Sequence, residues 1–335
     1  MNYFLIFFSN IFLIVGILYI QHKFKIALDT NQVHKIPSSN EVPLSGGFYI
    51  LFSILIGVQI FDIKIDTYFL LYLFPIFILG YFSDTLPKLS PKFRLFLQIV
   101  LIITLVALLK ITIYKTEIFF IDKYLNIKIF NIFFTSLCIV ILLNGSNFID
   151  GVNGNLVGYA LIVFFLMHTQ SNSNFEYLYI ILILFIFYIF NIFGKCFLGD
   201  NGVYVISIIL SYFVINFVNS NHNLSPIIAI NLLWYPAFEN LFSILRRMII
   251  KDRIYTADRK HLHILLFSFI NIKTKKKKLS NTLSGLILNI YNFLSLYASF
   301  AFIKNVQILI LIVILNIIFY MIFYFKLLNT LHHSK

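Results

Sequence analysis

Four short stretches of this chain hold the residue types that can do chemistry, and each sits where an apolar run ends. The first is Gly80-Tyr81-Phe82-Ser83-Asp84, followed by Lys88, Lys92, Arg94 and Gln98. It offers a carboxylate with bases close behind, although a solvated loop would show the same residues. The second runs from Asn144 to Gly154 and holds Asn144, Asn147, Asp150 and Asn153 among glycines and apolar residues. Asn144, Asn147 and Gly151 share a face at i, i+3, i+7, with Asp150 beside them. Amide and carboxylate oxygens at such spacing suit a hard divalent cation such as Mg²⁺, which keeps water and phosphate oxygens as its other partners. A plain Asn-Gly turn would explain the glycines but not the density of Asn and Asp.

The third stretch, Phe197-Leu198-Gly199-Asp200-Asn201-Gly202, suits a tight turn that aims one carboxylate and opens a helix whose N-terminus favours anions. Read blandly, it is a turn between two apolar runs. The fourth is long: Pro236 and Glu239 within an apolar run, then Arg246-Arg247, then Asp258-Arg259-Lys260-His261-Leu262-His263. A carboxylate inside a membrane span is costly and is by default a functional hypothesis, the alternative being a buried packing pair. Histidines at i, i+2 face opposite sides of a helix, so they make a poor joint metal site and read better as phosphate or sugar contacts beside the arginines. Together the four stretches give acids and amides ringed by Arg, Lys and His. With a divalent cation this is diphosphate chemistry, and its place at a membrane surface suggests one soluble anionic substrate and one lipid substrate.

The elements that must position these groups are spans. The chain has 335 residues, 60% hydrophobic and only 12% charged, with mean hydropathy +0.91. A soluble globular enzyme needs more polar residues to cover its surface, so that class and disorder are excluded. The expected fold is an all-α polytopic membrane bundle, a single domain over 1–335. Spans are predicted near 4–20, 47–63, 67–82, 93–113, 130–145, 155–169, 177–193, 202–219, 226–245, 282–303 and 306–326. That makes about eleven. Residues 115–130 read as a small external hairpin from their β-branched and aromatic content. Met1-Asn2-Tyr3 carries no positive charge and Lys23 and Lys25 follow the first run, so it is expected to be an uncleaved span with the N-terminus outside.

An odd number of spans puts the C-terminus inside. Of the 26 lysines and arginines, only Lys64, Lys110, Lys115, Lys123, Lys128 and Lys304 then remain outside, as the positive-inside rule requires. The net charge of +13 is therefore mostly topology, and no nucleic-acid partner is expected. Lys275-Lys276-Lys277-Lys278 reads as a lipid-headgroup contact or solvated loop. Cys138 and Cys196 are too few for a disulfide scaffold or a cysteine-rich metal site. A transporter or flippase would need ionisable groups near mid-bilayer on several spans, whereas here only Glu239 lies well inside one.

In this order the motifs resemble the polyprenyl-phosphate N-acetylhexosamine-1-phosphate transferases, the MraY/WecA superfamily or glycosyl transferase family 4. The resemblance runs from about 34 to 265. His34-Lys35-Ile36-Pro37 with Pro43-Leu44-Ser45-Gly46-Gly47 is similar to the first cytoplasmic loop. Gly80–Asp84 with Lys92 and Gln98 is similar to the Asp-Asp motif, Asn144–Gly154 to Asn-x-x-Asn-x-x-Asp-Gly, and Phe197–Asp200 to Phe-x-Gly-Asp. Pro236, Glu239, Arg246 and Arg247 resemble the ninth-span motif, and His261-Leu262-His263 the histidine loop.

The resemblance implies a multi-pass enzyme of the bacterial cytoplasmic membrane, its site facing the cytoplasm. It would use Mg²⁺, with Mn²⁺ as the alternative. It would move a sugar 1-phosphate from a UDP-N-acetylhexosamine-type sugar nucleotide to undecaprenyl phosphate, and a homodimer is expected. Carried over by position, Asn147 and Asp200 are metal ligands, and Asp84, Asp150 and Asp200 form the acidic catalytic cluster. Lys92, Asn144, Glu239, Arg246, Arg247, His261 and His263 bind substrate. Three positions depart from the family: Ser83 stands where an Asp is usual, Ile264 where many members have a further histidine, and Asn153 where Asp is frequent. Ser83 hydrogen-bonds but does not ionise, which raises the alternative of a catalytically impaired paralogue. The Pro236 and Glu239 context is similar to the subgroup that builds O-antigen and other surface polysaccharides.

Overall fold

The computed structural model describes residues 3–29, 41–86, 89–171, 175–221, 223–249 and 260–333. His34 to Pro37, Lys88, Asp258 and Arg259 lie outside the described residues. Within them the chain is almost wholly helical, because a backbone surrounded by lipid must satisfy its hydrogen bonds internally. The elements run α1 (Tyr3–Phe24), β1 (Leu28–Asp29), β2 (Val42–Pro43), α2 (Gly46–Phe61), α3 (Thr67–Thr85), α4 (Pro91–Leu109) and α5 (Phe119–Leu125). They continue with α6 (Lys128–Ile149), α7 (Asn155–Gln170), α8 (Phe175–Ile192), α9 (Gly199–Ser220), α10 (Ile227–Leu232), α11 (Trp234–Ile249), α12 (Leu262–Thr274), α13 (Lys277–Ala301) and α14 (Val306–His333).

Eight of these, α1, α3, α4, α6, α8, α9, α13 and α14, are long and apolar enough to cross a membrane. The apolar helices α2 and α7 have 16 residues each. At 1.5 Å per residue that is about 24 Å, short of a hydrocarbon core of about 30 Å. Helix α9 is the hub. It packs against α2, α3 and α6, and most of its length is buried. The β1–β2 pair is antiparallel, Leu28 opposite Pro43 and Asp29 opposite Val42. A parallel bridge from Leu44 to Phe197 then ties the start of α2 to the turn that opens α9.

Three expectations change. The stretch predicted as a hairpin near 115–130 is a capped turn leading into the short helix α5. The Asp122 carboxylate accepts from the Thr116 N–H (2.7 Å), the Thr116 hydroxyl (2.6 Å) and the Glu117 N–H (3.0 Å). Those amides are thereby withdrawn from any strand ladder. The predicted span 226–245 is broken at Leu233 into α10 and α11. Pro236 explains the break: its ring would clash with the carbonyl of Leu232 in a continuous helix, and it has no N–H to donate there. In the first turn of a new helix neither problem arises. The freed Leu232 carbonyl accepts instead from the Tyr159 hydroxyl at 2.8 Å. Helix α12 also lies in what reads from sequence as a loop, and Lys275 to Lys278 form the exposed corner where α12 turns into α13.

Candidate active site

The site is assembled around the N-terminus of α9. A helix start leaves its first N–H groups without intrahelical partners. Here the residue before the helix, Leu198, has no side chain that can cap them. Asp84, at the end of α3, does so from another element. Its Oδ1 accepts from the Asp200 N–H at 2.8 Å; its Oδ2 accepts from the Asn201 N–H at 3.0 Å and from Asn201 Nδ2 at 2.5 Å. Asn201 passes the link on, its Oδ1 accepting from the Gly47 N–H at the start of α2 (2.7 Å). So α2, α3 and α9 are knotted at one end by a carboxylate and an amide.

Close approach makes this possible. Gly199 has φ +72°, and a side chain there would meet Asp84 Oδ2. A Cβ at Gly80 would fall 2.5 Å from the Asn201 Cα. The glycines of the Gly-Gly, Gly80 and Gly-Asp motifs are thus where helices touch backbone to backbone.

Asp200, the first acid of α9, is only partly buried. Its Oδ2 accepts from the Ser83 hydroxyl at 2.5 Å and from Arg94 Nη1 at 3.1 Å, and Arg94 Nη1 also donates to Ser83 Oγ at 2.5 Å. Ser83, where the resemblance leads one to expect an acid, is thus a neutral bridge between a carboxylate and a guanidinium. Arg94 Nε has no partner among the described residues. On the next turn of α4, Gln98 Oε1 accepts from Asn144 Nδ2 of α6 at 3.2 Å. This brings the Asn144–Gly154 segment to the same end of the bundle. Helix α6 ends at Ile149 with Asp150 as its cap residue, and Asp150 lines a narrow crevice with Asn153, Phe197, Leu198 and Asn281.

The histidines close the other flank. His261 is extended (φ −76°, ψ 148°) and caps α12 rather than lying within it, so the i, i+2 geometry of a helix does not apply. Instead of facing opposite ways, the His261 and His263 rings stack 5.7 Å apart at 7°. Phe148 of the asparagine segment lies 5.0 Å from the His261 ring. A side chain at Gly151 would run into His263 Nε2, so that glycine is the socket for the second imidazole. Burial, and then the neighbouring His261, hold the His263 pKa well below its ordinary value. Glu239 is fully buried. Its Oε1 accepts from His261 Nδ1 at 2.9 Å and its Oε2 from the Tyr320 hydroxyl of α14 at 2.7 Å.

Of the predicted site residues, Asp84, Asp200, Asn144, Asp150, Glu239, His261 and His263 are brought to this end of the bundle through the contacts above. Asn147 is half-buried on α6, one turn beyond Asn144. Lys92 is exposed in the first turn of α4 and Arg247 is buried in α11. Arg246 lies against the residue before His261 and against α14. Its guanidinium donates to the Lys260 carbonyl and the Tyr324 hydroxyl, both at 2.5 Å, and lies over the Phe242 and Tyr324 rings. Sequence reasoning assigns no site role to Arg94, Asn201 or Tyr320. The first two stand inside the motif segments, but only the folded contacts single them out. Tyr320 lies in an apolar run with nothing around it to mark it.

The donor set suits Mg²⁺ in the manner that ion prefers. Among the described residues no three His, Cys, Asp or Glu side chains gather into a closed cage. Mg²⁺ seldom uses one, binding through one or two carboxylates together with substrate phosphates and water. The Asp200 carboxylate is partly open to solvent, with Oδ1 outside the Ser83–Arg94 contact, and Asn147 is half-buried on α6, which packs against α9.

Comparison with known proteins agrees with the motifs. The sequence model described as glycosyl transferase family 4 matches residues 67–218, the segment from α3 through α9 that builds the acidic half of the site. The chain is 26% identical over 232 residues to the undecaprenyl-phosphate alpha-N-acetylglucosaminyl 1-phosphate transferase of Thermotoga maritima. That alignment covers 66% of this chain and 67% of the relative.

Proposed function

We propose that the chain is a membrane sugar-1-phosphate transferase of glycosyl transferase family 4, the MraY/WecA superfamily. It takes an N-acetylated sugar 1-phosphate from a UDP-sugar to undecaprenyl phosphate and releases UMP, the first step of a lipid-linked surface glycan such as O-antigen. The acceptor phosphate oxygen attacks the β-phosphorus. The bond from that phosphorus to the bridging oxygen breaks, and UMP leaves with its electron pair. The relative's name supports the acceptor. The observation that carries the reading for this chain is the partly exposed Asp200 carboxylate at a helix N-terminus, flanked by Arg94 and reached from α3 and α4.

Two anions must meet, so relief of charge repulsion is the main task. A phosphomonoester has its second pKa near ~6, so the acceptor is largely ionised at neutral pH and little is asked of a general base. Mg²⁺, held by Asp200 and Asn147, would neutralise the diphosphate. The remaining Arg94 donors and the basic Lys92 face the phosphates, and His261 and His263 serve the phosphates or the sugar. Asp84 acts as a positioning residue through α9. The active end faces the cytoplasm in this reading, which the lysine and arginine distribution supports. A flippase is disfavoured because the acids of the site gather at one end of the bundle instead of spreading along its length.

The test is direct. Purified protein is incubated with undecaprenyl phosphate, Mg²⁺ and a panel of UDP-sugars, and UMP release is measured. Asp200→Asn is expected to lose most of the activity, without recovery at raised Mg²⁺. No release from the wild-type protein with any sugar would refute the function, and unchanged turnover of Asp200→Asn would refute the metal-ligand role.

A further inference from the structure

The family resemblance makes Glu239 a substrate contact, yet it has no exposed surface and both of its oxygens are occupied. A fully buried carboxylate is costly unless hydrogen-bonded, so its partners indicate why it is there. One partner is His261, through Nδ1 at 2.9 Å, with Ser243 Oγ 3.3 Å from the same nitrogen. The other is Tyr320, from a helix well beyond the motif-bearing part of the chain.

A carboxylate oxygen only accepts, so His261 must present Nδ1 protonated, which leaves Nε2 as its second functional edge. The ring is not free to turn away. The His263 ring lies parallel on one side, the Phe148 ring is 5.0 Å away, and His261 itself is only 6% exposed. Tyr320 in turn fixes the carboxylate, and Phe238 and Phe242 pack edge-on against the Tyr320 ring at 5.0 and 5.4 Å.

We propose that Glu239 is a positioning residue: held by Tyr320 of α14, it fixes the ring and tautomer of His261 so that Nε2 serves the anionic substrate. The last helix is thereby part of the site, although it lies outside the segment that carries the motifs. This rests on the function proposed above.

Two readouts test it. The double variant Glu239→Met with Tyr320→Phe removes the carboxylate acceptors and the Tyr320 donor together, keeps the volume near native and leaves His261 Nδ1 with Ser243 Oγ, 3.3 Å away, as its remaining partner. It is expected to lower kcat/KM for UMP release by about 10- to 100-fold, the range typical when a group that orients a histidine is removed. The same change introduced into His261→Gln should cost less than about twofold further, since its effect passes through that histidine. Losses that multiply in full would show a general packing role and overturn the proposal.

The second readout is the ¹⁵N shifts of labelled histidine in the wild-type protein, with His261 assigned by its absence in His261→Gln. They should show Nδ1 protonated, and the proton should move to Nε2 in the double variant. An Nε2-protonated wild-type ring, or one unchanged by the double substitution, also overturns it. If the wild-type protein releases no UMP, the function fails while the nitrogen shifts still decide how Glu239 holds His261.

Discussion

Replacing Asp84 by Asn separates a capping carboxylate from a catalytic base, because the two roles predict different pH profiles. Asp84 receives three donors, one on Oδ1 and two on Oδ2. Asparagine keeps one oxygen and brings an NH₂ group. If its oxygen takes the place of Oδ2, the NH₂ confronts the Asp200 N–H; in the opposite rotamer two donors lose their acceptor. At least one hydrogen bond to a charged acceptor is lost, worth about 1.5–3 kcal/mol. The interaction of the negative charge with the start of α9 goes too, about 0.3–1 kcal/mol. The combined cost is about 2–4 kcal/mol.

Because the capped residue is Asp200 itself, the cost falls on the geometry of the acidic site. Transferred in full to the barrier, it corresponds to a loss of about 30- to 1000-fold in kcat/KM. The assay is UMP release from pH 5 to 9 for both proteins, with the thermal midpoint measured alongside. Capping predicts a lowered midpoint and a loss that is the same at every pH. A wild-type rate that climbs tenfold per pH unit through an acidic limb, with that limb abolished in Asp84→Asn and the midpoint unchanged, would refute the reasoning.

Other consequences follow from the same contacts. Ser83→Ala removes the hydroxyl that links Arg94 to Asp200; a net bond of about 0.5–1.5 kcal/mol predicts a loss of about 2- to 10-fold in kcat/KM, and no loss would show that the bridge is idle. Gly145→Ala would put a Cβ against the Pro236 carbonyl, a backbone atom that cannot yield without parting α6 from α11. It should destabilise by about 1–3 kcal/mol or more, read as a drop in thermal midpoint, and an unchanged midpoint would contradict the close packing. His263 is held neutral by burial, with its folded pKa below the unfolded value of about 6.5. The unfolded chain therefore binds the extra proton first, and stability should fall as pH drops below about 6.5. Comparison of midpoints at pH 7.5 and 5.5 should show this fall shrinking in His263→Gln; an undiminished fall would assign it to other groups.

Much of this protein is legible from the order of its residues alone. Long apolar runs leave the backbone no option but helix in lipid, so nearly every predicted span coincides with a helix of the bundle. Polar residues are too costly to place at random in such a chain. Asp84, Asn144, Asp150, Asp200, Glu239 and the two histidines therefore stand out by type and position alone. What the sequence leaves open depends on partners distant along the chain. Asp84 reads as an acid of the site, and only the approach of α3 to α9, permitted by Gly80 and Gly199, makes it a helix cap. Glu239 reads as a substrate contact until α14 brings Tyr320 to one oxygen and the extended turn before α12 brings His261 to the other. Residue type and spacing determine what each group can do; which of those things it does is decided by the side chains that the tertiary fold sets within hydrogen-bonding reach of it.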